Sequence, residues 1–254
     1  EVKYKEKNVI YGLKKIPIVQ KRHKIADLFK KVSGDYDKMN DLMSLGAHRV
    51  WKKDLVERIN REQFLNDSKD ILDLAGGTGD VAFEIIKRFK NNNITIMDLT
   101  PDMMKIGKTK ALASGYSNSL NWIAGDSAYL PFKDFTFNTI TCAFGIRNVA
   151  EIEKTLEGCY KTLKPGGKLM ILEFSPEVIM PFQKFYDYYL KNIIPFLGDK
   201  IANNKKAYKY LSESIETFYT PDDFCRLLEE KRLKIVNLIK YANGAACLYV
   251  ATRI

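Results

Sequence analysis

Three glycines within four positions, flanked by aspartates, give one segment of this chain residue types that fit ligand-binding chemistry. The segment reads Asp73-Leu74-Ala75-Gly76-Gly77-Thr78-Gly79-Asp80, follows a short apolar run and opens an amphipathic stretch. Glycines at Gly76, Gly77 and Gly79 permit positive φ angles and let the backbone approach a ligand where a Cβ would collide. The sequence therefore predicts a strand, a tight turn and a helix N-terminus that form the floor of a nucleotide-type cofactor site.

Two aspartates near this turn leave the kind of cofactor open. Gly77-Thr78-Gly79-Asp80-Val81-Ala82 fits the pattern G-x-G-x-x-A, and Asp98 ends the next apolar run about 20 residues later, where a carboxylate can bind ribose hydroxyls. On these residues alone a nicotinamide-dependent dehydrogenase remains possible. Asp73 lies at the end of the first predicted strand, where a carboxylate suits a cationic ligand that approaches the turn.

Two later loops fall at the same predicted edge of the fold. Gly125-Asp126-Ser127-Ala128-Tyr129-Leu130-Pro131-Phe132 is an acidic loop at a strand end, in a position to hydrogen-bond an adenine ring. Leu163-Lys164-Pro165-Gly166-Gly167-Lys168 is a proline–glycine turn that leads into another apolar run. Each motif also has a purely structural interpretation, because glycine turns make room for helix–strand packing, aspartates cap helices and proline–glycine turns stop them.

The elements that must position these motifs alternate along the chain. Apolar runs are separated by stretches with helical spacing, which predicts an α/β fold with a parallel sheet covered on both faces. In such sheets, ligands bind beyond the carboxyl ends of the strands, at the point where the strand order reverses. The predicted strands are Ile71–Leu74, Ile94–Asp98, Leu120–Ala124, Thr139–Phe144 and Leu169–Phe174, and the predicted helices are Val81–Phe89, Pro101–Ala113 and Ile152–Leu163.

The segments outside this alternation divide the chain into three predicted parts. Residues 1–24 are basic and patternless and are expected to form a mobile arm, and residues 25–60 have the apolar spacing of a helical cap. Residues 61–254 form the main domain, including a helical, aromatic-rich insertion at 176–218. The chain closes with a predicted helix at Pro221–Lys231 and predicted strands at Lys234–Ile239 and Ala246–Ala251.

The composition is that of a soluble globular protein, with 46% hydrophobic and 28% charged residues. A formal net charge of +10 suits nucleic acid, an anionic membrane surface or only solubility. The four cysteines are far apart and the histidines are only His23 and His48, which argues against a metal site or a disulfide framework and favours a reducing compartment. The chain begins at Glu1 rather than Met, as expected if a targeting segment precedes it.

The order and spacing of these motifs resemble the class I S-adenosylmethionine-dependent methyltransferases. Within that class, Phe29–Lys52 and Phe144–Val149, together with Leu172-Glu173-Phe174-Ser175, closely resemble the ubiquinone/menaquinone biosynthesis C-methyltransferase family. The resemblance extends from about Phe29 to the C-terminus and includes Ile201-Ala202-Asn203 and Tyr210-Leu211-Ser212-Glu213-Ser214-Ile215.

This resemblance implies a Rossmann-like, mostly parallel seven-stranded sheet with N-terminal helices and a helical lid insertion. It also implies transfer of the S-adenosylmethionine methyl group to a ring carbon of a polyprenyl benzoquinol in ubiquinone biosynthesis, as by a 2-methoxy-6-polyprenyl-1,4-benzoquinol methylase, with S-adenosylhomocysteine as product. The alternative within the family is a demethylmenaquinol methyltransferase. An NAD-binding oxidoreductase and a non-catalytic scaffold of a quinone-synthesis complex are alternatives of other classes.

The family's cofactor residues fall on Thr78 in the glycine turn, on Asp98 at the second strand, and on the pair Asp126–Ser127. With the residues argued above, the full candidate set for the cofactor is Asp73, Gly76, Gly77, Thr78, Gly79, Asp98, Leu99, Asp126, Ser127 and Ala143, with no metal. Ala143 is the weakest member. Bacterial members read Ser-Phe-Gly where this chain reads Ala143-Phe144-Gly145, so a contact through that serine hydroxyl is absent.

Arg147, Tyr36 and Asn148 are the candidate catalytic residues. A sulfonium methyl is already a strong electrophile, so its alignment with the ring carbon, worth roughly 7–11 kcal/mol, is expected to outweigh a general base. Arg147 follows the fourth strand and suits stabilisation of phenolate character, but a guanidinium is a poor base. The resemblance implies that it acts through a water that accepts the proton, with Tyr36 and Asn148 holding substrate.

Each of these residues also has a structural alternative. Arg147 could form only a salt bridge, Tyr36 could pack under the N-terminal helices, and Asn148 could cap the next helix. His48 and Arg49 are expected either to touch the substrate or to lie on a helix surface.

The resemblance further implies a location and partners. A polyprenyl tail must be taken from lipid, so the insertion at 176–218 is expected to form an apolar groove with the N-terminal helices, while lysines add about 1 kcal/mol each at an anionic surface. We therefore expect peripheral membrane association at the matrix side of the mitochondrial inner membrane, with a bacterial-type cytoplasmic location as the alternative. The expected partners are proteins of the quinone-biosynthesis complex and a second copy in a homodimer. Nucleic acid is not expected, because no Pro-Pro-aromatic motif follows the fourth strand.

Overall fold

The computed structural model describes residues 7–62, 69–89, 92–202 and 204–254. Its first elements are an antiparallel hairpin and three helices that precede the main sheet. They are β1 (Asn8–Tyr11), β2 (Lys14–Pro17), α1 (Ile18–Val32), α2 (Tyr36–Ser44) and α3 (His48–Glu62).

The mobile arm expected over residues 1–24 is wrong for its described part. The hairpin occupies residues 8–17, and α1 begins at Ile18 rather than near residue 25. The ring of Tyr11 stacks on that of Tyr210 with centroids 4.4 Å apart, which ties the hairpin to a distant part of the chain. Residues 1–6 lie outside the described residues, and the division into three parts stays a prediction.

The main sheet contains seven strands, and its mostly parallel order confirms the fold class expected from the sequence. Their order is β5-β4-β3-β6-β7-β9-β8, with β9 antiparallel to both of its neighbours and the other pairs parallel. The strands are β3 (Asp70–Leu74), β4 (Asn93–Asp98), β5 (Leu120–Ala124), β6 (Phe137–Ala143), β7 (Leu163–Phe174), β8 (Leu233–Tyr241) and β9 (Ala246–Arg253).

Helices cross between the parallel strands and cover both faces of the sheet. They are α4 (Asp80–Arg88), α5 (Pro101–Ala113), α6 (Ile152–Thr162) and α10 (Pro221–Glu230). Two apolar cores result, one on each face, and this double coverage is why the strands are nearly continuous apolar runs. The strand order reverses at β3, whose neighbours are β4 and β6, so a ligand site is expected at its carboxyl end.

The proline–glycine turn at residues 163–168 lies inside the first part of β7. Pairing with β6 jumps from Phe137 opposite Leu163 to Thr139 opposite Lys168, so residues 164–167 bulge out of the ladder. Gly166 adopts a φ of 72°, which a side chain would disfavour. The predicted stop of the preceding helix and restart of regular pairing are therefore both present.

The insertion at 176–218 is helical, as expected from its sequence. It comprises α7 (Gln183–Tyr188), a π-helical turn (Tyr189–Ile193), α8 (Ile194–Ala202) and α9 (Lys205–Glu216). Tyr189 donates a hydrogen bond through its hydroxyl to the Leu42 carbonyl, 2.8 Å away, which joins the insertion to α2. None of the helices in the described ranges has both the length and the apolar character that a membrane-spanning segment needs.

Candidate functional site

A cleft of about 690 Å³ lies at the carboxyl ends of β3, β4, β5 and β6. It contains six of the residues singled out for the cofactor or the substrate, from four separate segments of the chain. The residues that line it are Arg22, Ile25, Phe29, Ala75, Gly77, Met97, Asp98, Leu99, Thr100, Met103, Gly125, Asp126, Ser127, Phe144, Gly145, Asn148, Val149 and Ala150. The topology thus brings four segments to one edge of the sheet. They are the glycine turn, the loop that begins at Asp98, the loop at Asp126–Ser127 and the loop after β6.

The glycine turn forms the floor of this cleft. Gly77 and Gly79 adopt φ angles of 54° and 85°, and Gly79 caps the N-terminus of α4. A Cβ on Gly76 would lie 2.7 Å from Asp73 Oδ2, so any side chain there would collide with that carboxylate. The close approach of Asp73 therefore requires glycine at position 76, and the positive φ angles favour glycine at positions 77 and 79.

Asp98 is half-buried at the end of β4 and holds the turn in place. Its Oδ2 accepts from the Gly77 N–H at 2.9 Å and its Oδ1 accepts from the Thr100 N–H at 2.7 Å. Burial raises the pKa of this carboxyl group above its ordinary value, although the two backbone donors oppose the shift. Each carboxylate oxygen keeps a lone pair for a further donor, which fits the two hydroxyls of a ribose.

Asp73 carries an oxygen with no hydrogen-bond partner among the described residues. The Thr141 hydroxyl donates to its Oδ1 at 2.9 Å, while its Oδ2 is buried and unpartnered. Burial raises the pKa of Asp73 to about 7. An unsatisfied buried carboxylate beside a glycine turn fits the α-ammonium group of an amino-acid ligand, which supplies both donors and the missing positive charge.

A smaller pocket of about 280 Å³ adjoins the turn on the Asp73 side. It is lined by Lys52, Asp73, Ala75, Gly76, Thr78, Asp80, Val81 and Ala143. The Thr78 hydroxyl donates to Asp80 Oδ1 at 3.2 Å, and Lys52 Nζ lies 3.0 Å from Asp80 Oδ2. The candidates Thr78, Gly76 and Ala143 therefore share one wall with Asp73.

Asp126 and Ser127 lie at the opposite end of the cleft, after β5. Asp126 Oδ1 accepts from the Ala128 N–H at 2.9 Å, and the Thr155 hydroxyl lies 3.5 Å from Ser127 Oγ. The other oxygen of Asp126 lies 2.7 Å from Nε of Arg22, a residue of α1. This carboxylate lines the cleft with both of its oxygens already in contact with described residues.

Arg22 is a lining residue that sequence reasoning missed. It bridges Asp126 and Glu151 and lies over the Tyr129 ring, with its Cζ 5.3 Å from the centroid. The sequence does not point to Arg22, because the basic composition of residues 1–24 predicts a mobile arm rather than a helix. The signal that could have found it is the helical spacing of Arg22, Ile25 and Phe29, which places all three on the face of α1 that covers the cleft.

Arg147 does not line the cleft. Its guanidinium is buried, with Nη1 2.6 Å from Glu173 Oε1 and 2.9 Å from the Phe144 carbonyl, and its Nε donates to Ser214 Oγ at 3.2 Å. Burial raises the pKa of Glu173, while Arg147 opposes that shift. The structural alternative of a salt bridge is therefore present. Arg147 is the middle residue of a short turn, Ile146–Asn148, and it faces a second cavity on the side of that turn away from the cleft.

Asn148 is buried in the wall of the cleft. Its Oδ1 accepts from the Tyr210 hydroxyl at 3.0 Å, and its Nδ2 has no partner among the described residues. An unused amide donor at this wall could hold an acceptor oxygen. Tyr36 is the first residue of α2, and its side chain lies outside the described part of the structure, so its substrate role stays a prediction.

The other N-terminal candidates differ from one another. His48 is buried, with Nε2 2.8 Å from Asp41 Oδ1, and burial lowers its pKa. Arg49 is exposed and pairs with the same carboxylate, so the surface alternative fits Arg49 but not His48. Asn40 was missed by sequence reasoning, although both polar atoms of its buried amide lack partners among the described residues.

Comparisons with known proteins agree along almost the whole chain. Residues 18–253 match a family model described as the ubiE/COQ5 methyltransferase family. A Roseobacter denitrificans protein named Ubiquinone/menaquinone biosynthesis C-methyltransferase UbiE is 37% identical over 243 residues, covering 96% of this chain and 96% of the relative. A protein of the same name from Rickettsia prowazekii is 38% identical over 251 residues, covering 97% and 99%.

Solved structures show the same fold at low sequence identity. An S-adenosylmethionine-dependent methyltransferase from Aquifex aeolicus has a TM-score of 0.60 and 16% identity, covering 87% of this chain and 99% of its own. The YcgJ protein of Bacillus subtilis has a TM-score of 0.56 and 13% identity, covering 78% and 97%.

Proposed function

We propose a substrate and a mechanism from the premise that this chain belongs to the ubiE/COQ5 methyltransferase family and is an S-adenosylmethionine-dependent C-methyltransferase. The acceptor that we propose is the ring of a polyprenyl benzoquinol in ubiquinone biosynthesis, with S-adenosylhomocysteine as the second product. The observation that supports a quinol acceptor is the similarity, over 96–97% of the chain, to relatives named for C-methylation in ubiquinone/menaquinone biosynthesis. The dehydrogenase alternative is wrong, because the family is one of methyltransferases.

The residues of the cleft fit S-adenosylmethionine in one orientation. Asp126 and Ser127 would receive the adenine ring, Asp98 and Leu99 the ribose, and the Gly76–Gly79 turn with Thr78 the amino-acid part. Asp73 would face the ammonium group through its unpartnered oxygen. When bound, the cofactor supplies an electrophilic methyl group, so the protein's task is to bring a ring carbon into line with it.

The turn after β6 would present the acceptor to the methyl group. Asn148 offers its free amide donor to a ring oxygen, and Tyr210 fixes the orientation of that amide. Arg147 holds the turn from behind through the Phe144 carbonyl and Glu173. From this position its charge favours phenolate character at the acceptor, and it accepts no proton itself.

A demethylmenaquinol is the second candidate acceptor, because the names of the relatives cover both ubiquinone and menaquinone biosynthesis. The two rings differ in width and in the substituents beside the reacting carbon. A methyl-transfer assay with short-chain demethyl benzoquinol and naphthoquinol analogues, scored by product mass, separates the two. We expect the benzoquinol to give the higher kcat/KM.

The insertion offers a surface for the lipid that carries such a substrate. Six apolar side chains of residues 176–218 are each more than half exposed, namely Ile179, Met180, Phe182, Phe185, Tyr188 and Phe196. Lys184 and Lys191 lie in the same segment and suit an anionic headgroup layer. We propose that this apolar surface of the insertion associates peripherally with a membrane.

The location and the partners of the protein are further proposals. A place at the matrix side of the mitochondrial inner membrane, in a quinone-synthesis assembly and as a homodimer, rests on the family resemblance. The relatives named above are bacterial, which favours the cytoplasmic alternative. Light scattering of the purified chain tests the dimer.

A further inference from the structure

A second cavity, of about 1190 Å³, lies on the far side of the turn that carries Asn148. The β1–β2 hairpin, α1, the start of α6, α9 and the start of α10 enclose it. Val149 and Ala150 line both this cavity and the cofactor cleft, so the two spaces adjoin at this segment. Arg147, Tyr210 and Lys21 all contribute to its wall.

Lys21 is a buried cation in this wall without a described carboxylate partner. Only 5% of the residue is exposed, and its Nζ donates to the Val149 carbonyl at 2.9 Å. That bond uses one of three donors, and no ion pair of Lys21 occurs among the described residues. A charged ammonium in such surroundings loses solvation that one neutral carbonyl does not replace.

The surroundings of Lys21 destabilise its charged form. Burial lowers its pKa from 10.5 to about 8, so the free amine is far more accessible near neutral pH than that of an exposed lysine. The shift has burial as its cause, and no charged neighbour contributes to it. The titratable and charged groups that face the same cavity are Lys7, Arg147, Glu151, Glu153, Lys154, Tyr210, Tyr219 and Asp223.

We propose that Lys21 is a further catalytic residue, which accepts the hydroxyl proton of the quinol as its ring carbon takes the methyl group. This proposal rests on the proposed function. The quinol enters from the second cavity and meets the cofactor at the Asn148 turn. Its hydroxyl O–H bond breaks as the proton passes to the Lys21 amine. The phenolate then forms the C–CH₃ bond while the S–CH₃ bond of the cofactor breaks, which releases neutral S-adenosylhomocysteine.

The later proton movements restore the starting state. The methylated ring loses its C–H proton to water and recovers a hydroxyl by accepting the proton from Lys21. The net reaction therefore releases one proton to solvent and leaves the amine neutral.

The other titratable groups near the turn suit this step less well. Arg147 stays protonated at any accessible pH, and Glu173 is already paired with it. Asp73 lies on the cofactor side of the turn, behind the glycine loop. Lys21 combines a basic atom with access from the second cavity, whereas the carboxylate of Glu151 in the same cavity is paired with Arg22.

The test compares Lys21→Met with Lys24→Met, a matched change at an exposed lysine on the same helix. We expect Lys21→Met to lower kcat by about 10²–10⁴-fold while the Kd for S-adenosylmethionine stays within about threefold of wild type. The wild-type rate should rise as pH increases through about 8, where the free amine forms. This rise of the rate with pH should be absent in Lys21→Met and present in Lys24→Met.

Lys21→Arg keeps the charge and the donors but cannot accept a proton, so it guards against a merely structural effect. An inactive Lys21→Arg variant that binds S-adenosylmethionine normally supports the proposal. A Lys21 variant that keeps both the wild-type kcat and the rise of the rate with pH near 8 overturns the proposal. If the wild type itself methylates no quinol, the proposed function fails instead, and the two failures are distinct.

Discussion

Asp73 is the residue whose protonation should change when the cofactor binds. Burial raises its pKa to about 7 in the free protein, so the carboxyl group is partly neutral near physiological pH. A cationic ammonium beside Oδ2 favours the carboxylate and lowers that pKa, so binding releases a proton below pH 7. The affinity for S-adenosylmethionine should therefore rise as pH increases toward 7 and level off above it.

Calorimetry at about pH 6 in two buffers of different ionisation enthalpy measures this proton release. The Asp73→Asn variant has no carboxyl to titrate and should show weaker binding with no proton release. A wild-type affinity that stays flat between about pH 5.5 and 7.5, with no proton exchanged, contradicts the assignment of Asp73 to the ammonium group.

For the candidate site, the sequence predicted several of the residues that line the cleft but not the side chains with which the site residues pair. Asp98, Asp126 and Asn148 line the expected cleft, because the carboxyl ends of parallel strands meet at one edge of the sheet. The burial of Arg147 against Glu173 could not be read from the sequence. It depends on the packing of α9 and β7 around the guanidinium, which no local pattern records.

At the scale of elements, α1 closes the cofactor cleft through Arg22. Its two ion pairs to Asp126 and Glu151 are partly exposed, so together they are worth roughly 1 kcal/mol, or about fivefold in a rate. We expect Arg22→Ala to raise the dissociation rate of S-adenosylhomocysteine by about that factor, because α1 then opens more readily.

Stopped-flow release of S-adenosylhomocysteine measures this rate. Arg226→Ala removes a comparably short arginine–aspartate contact on α10, away from the cleft, and should leave the rate unchanged. Equal release rates for Arg22→Ala and wild type would show that α1 does not hold the cofactor.

The helices of the insertion supply the second prediction at this scale. Phe182 and Phe185 are exposed at the start of α7. Insertion of each ring into a lipid surface would bury roughly 100 Å² and contribute about 2–3 kcal/mol to the free energy of binding. The variant with both Phe182→Ser and Phe185→Ser should therefore lose most of its binding to anionic liposomes at low salt.

Co-sedimentation with phosphatidylglycerol vesicles measures that loss, and Val236→Ser on the exposed edge strand β8 is the matched control. If the wild-type chain fails to sediment with the vesicles, or if the control loses as much binding as the double variant, the membrane assignment is wrong.

The elements themselves were predictable where local chemistry sets their ends. α5 runs from Pro101 to Ala113 as expected, because a proline at the first turn and a glycine shortly after the last turn mark both ends. The hairpin of β1 and β2 was missed, because its strands have only four residues each and β2 begins with two lysines. Its stacking of Tyr11 on Tyr210 is a contact between the two ends of the chain, so no local window contains it.

At the scale of the whole molecule, two cavities meet at one turn. The cofactor cleft opens on the side of β3 and β4, and the larger cavity opens on the side of the hairpin and α9. Helix α1 contributes Arg22 to the first and Lys21 to the second, so one element borders both cavities. In the mechanism that we propose, donor and acceptor enter separately and meet where Asn148 lies.

The topology of the whole sheet was predictable from the alternation of strands and helices, and with it the edge that holds the cleft. The second cavity was not, since the N-terminal hairpin and the insertion form its walls from opposite ends of the chain. A cavity whose walls come from segments distant in sequence cannot be predicted from local sequence patterns, because it depends on how those segments pack.

The central claim is that this chain moves a methyl group from S-adenosylmethionine to a ring carbon of a quinol. The direct measurement is mass spectrometry of the product formed from trideuteromethyl-labelled S-adenosylmethionine and a short-chain demethyl benzoquinol. We expect one CD₃ group in place of one ring hydrogen, located on carbon by fragmentation, with wild type and not with Arg147→Ala. Label on a quinol oxygen, or no labelled quinol from a wild-type protein that binds the cofactor, would contradict the claim.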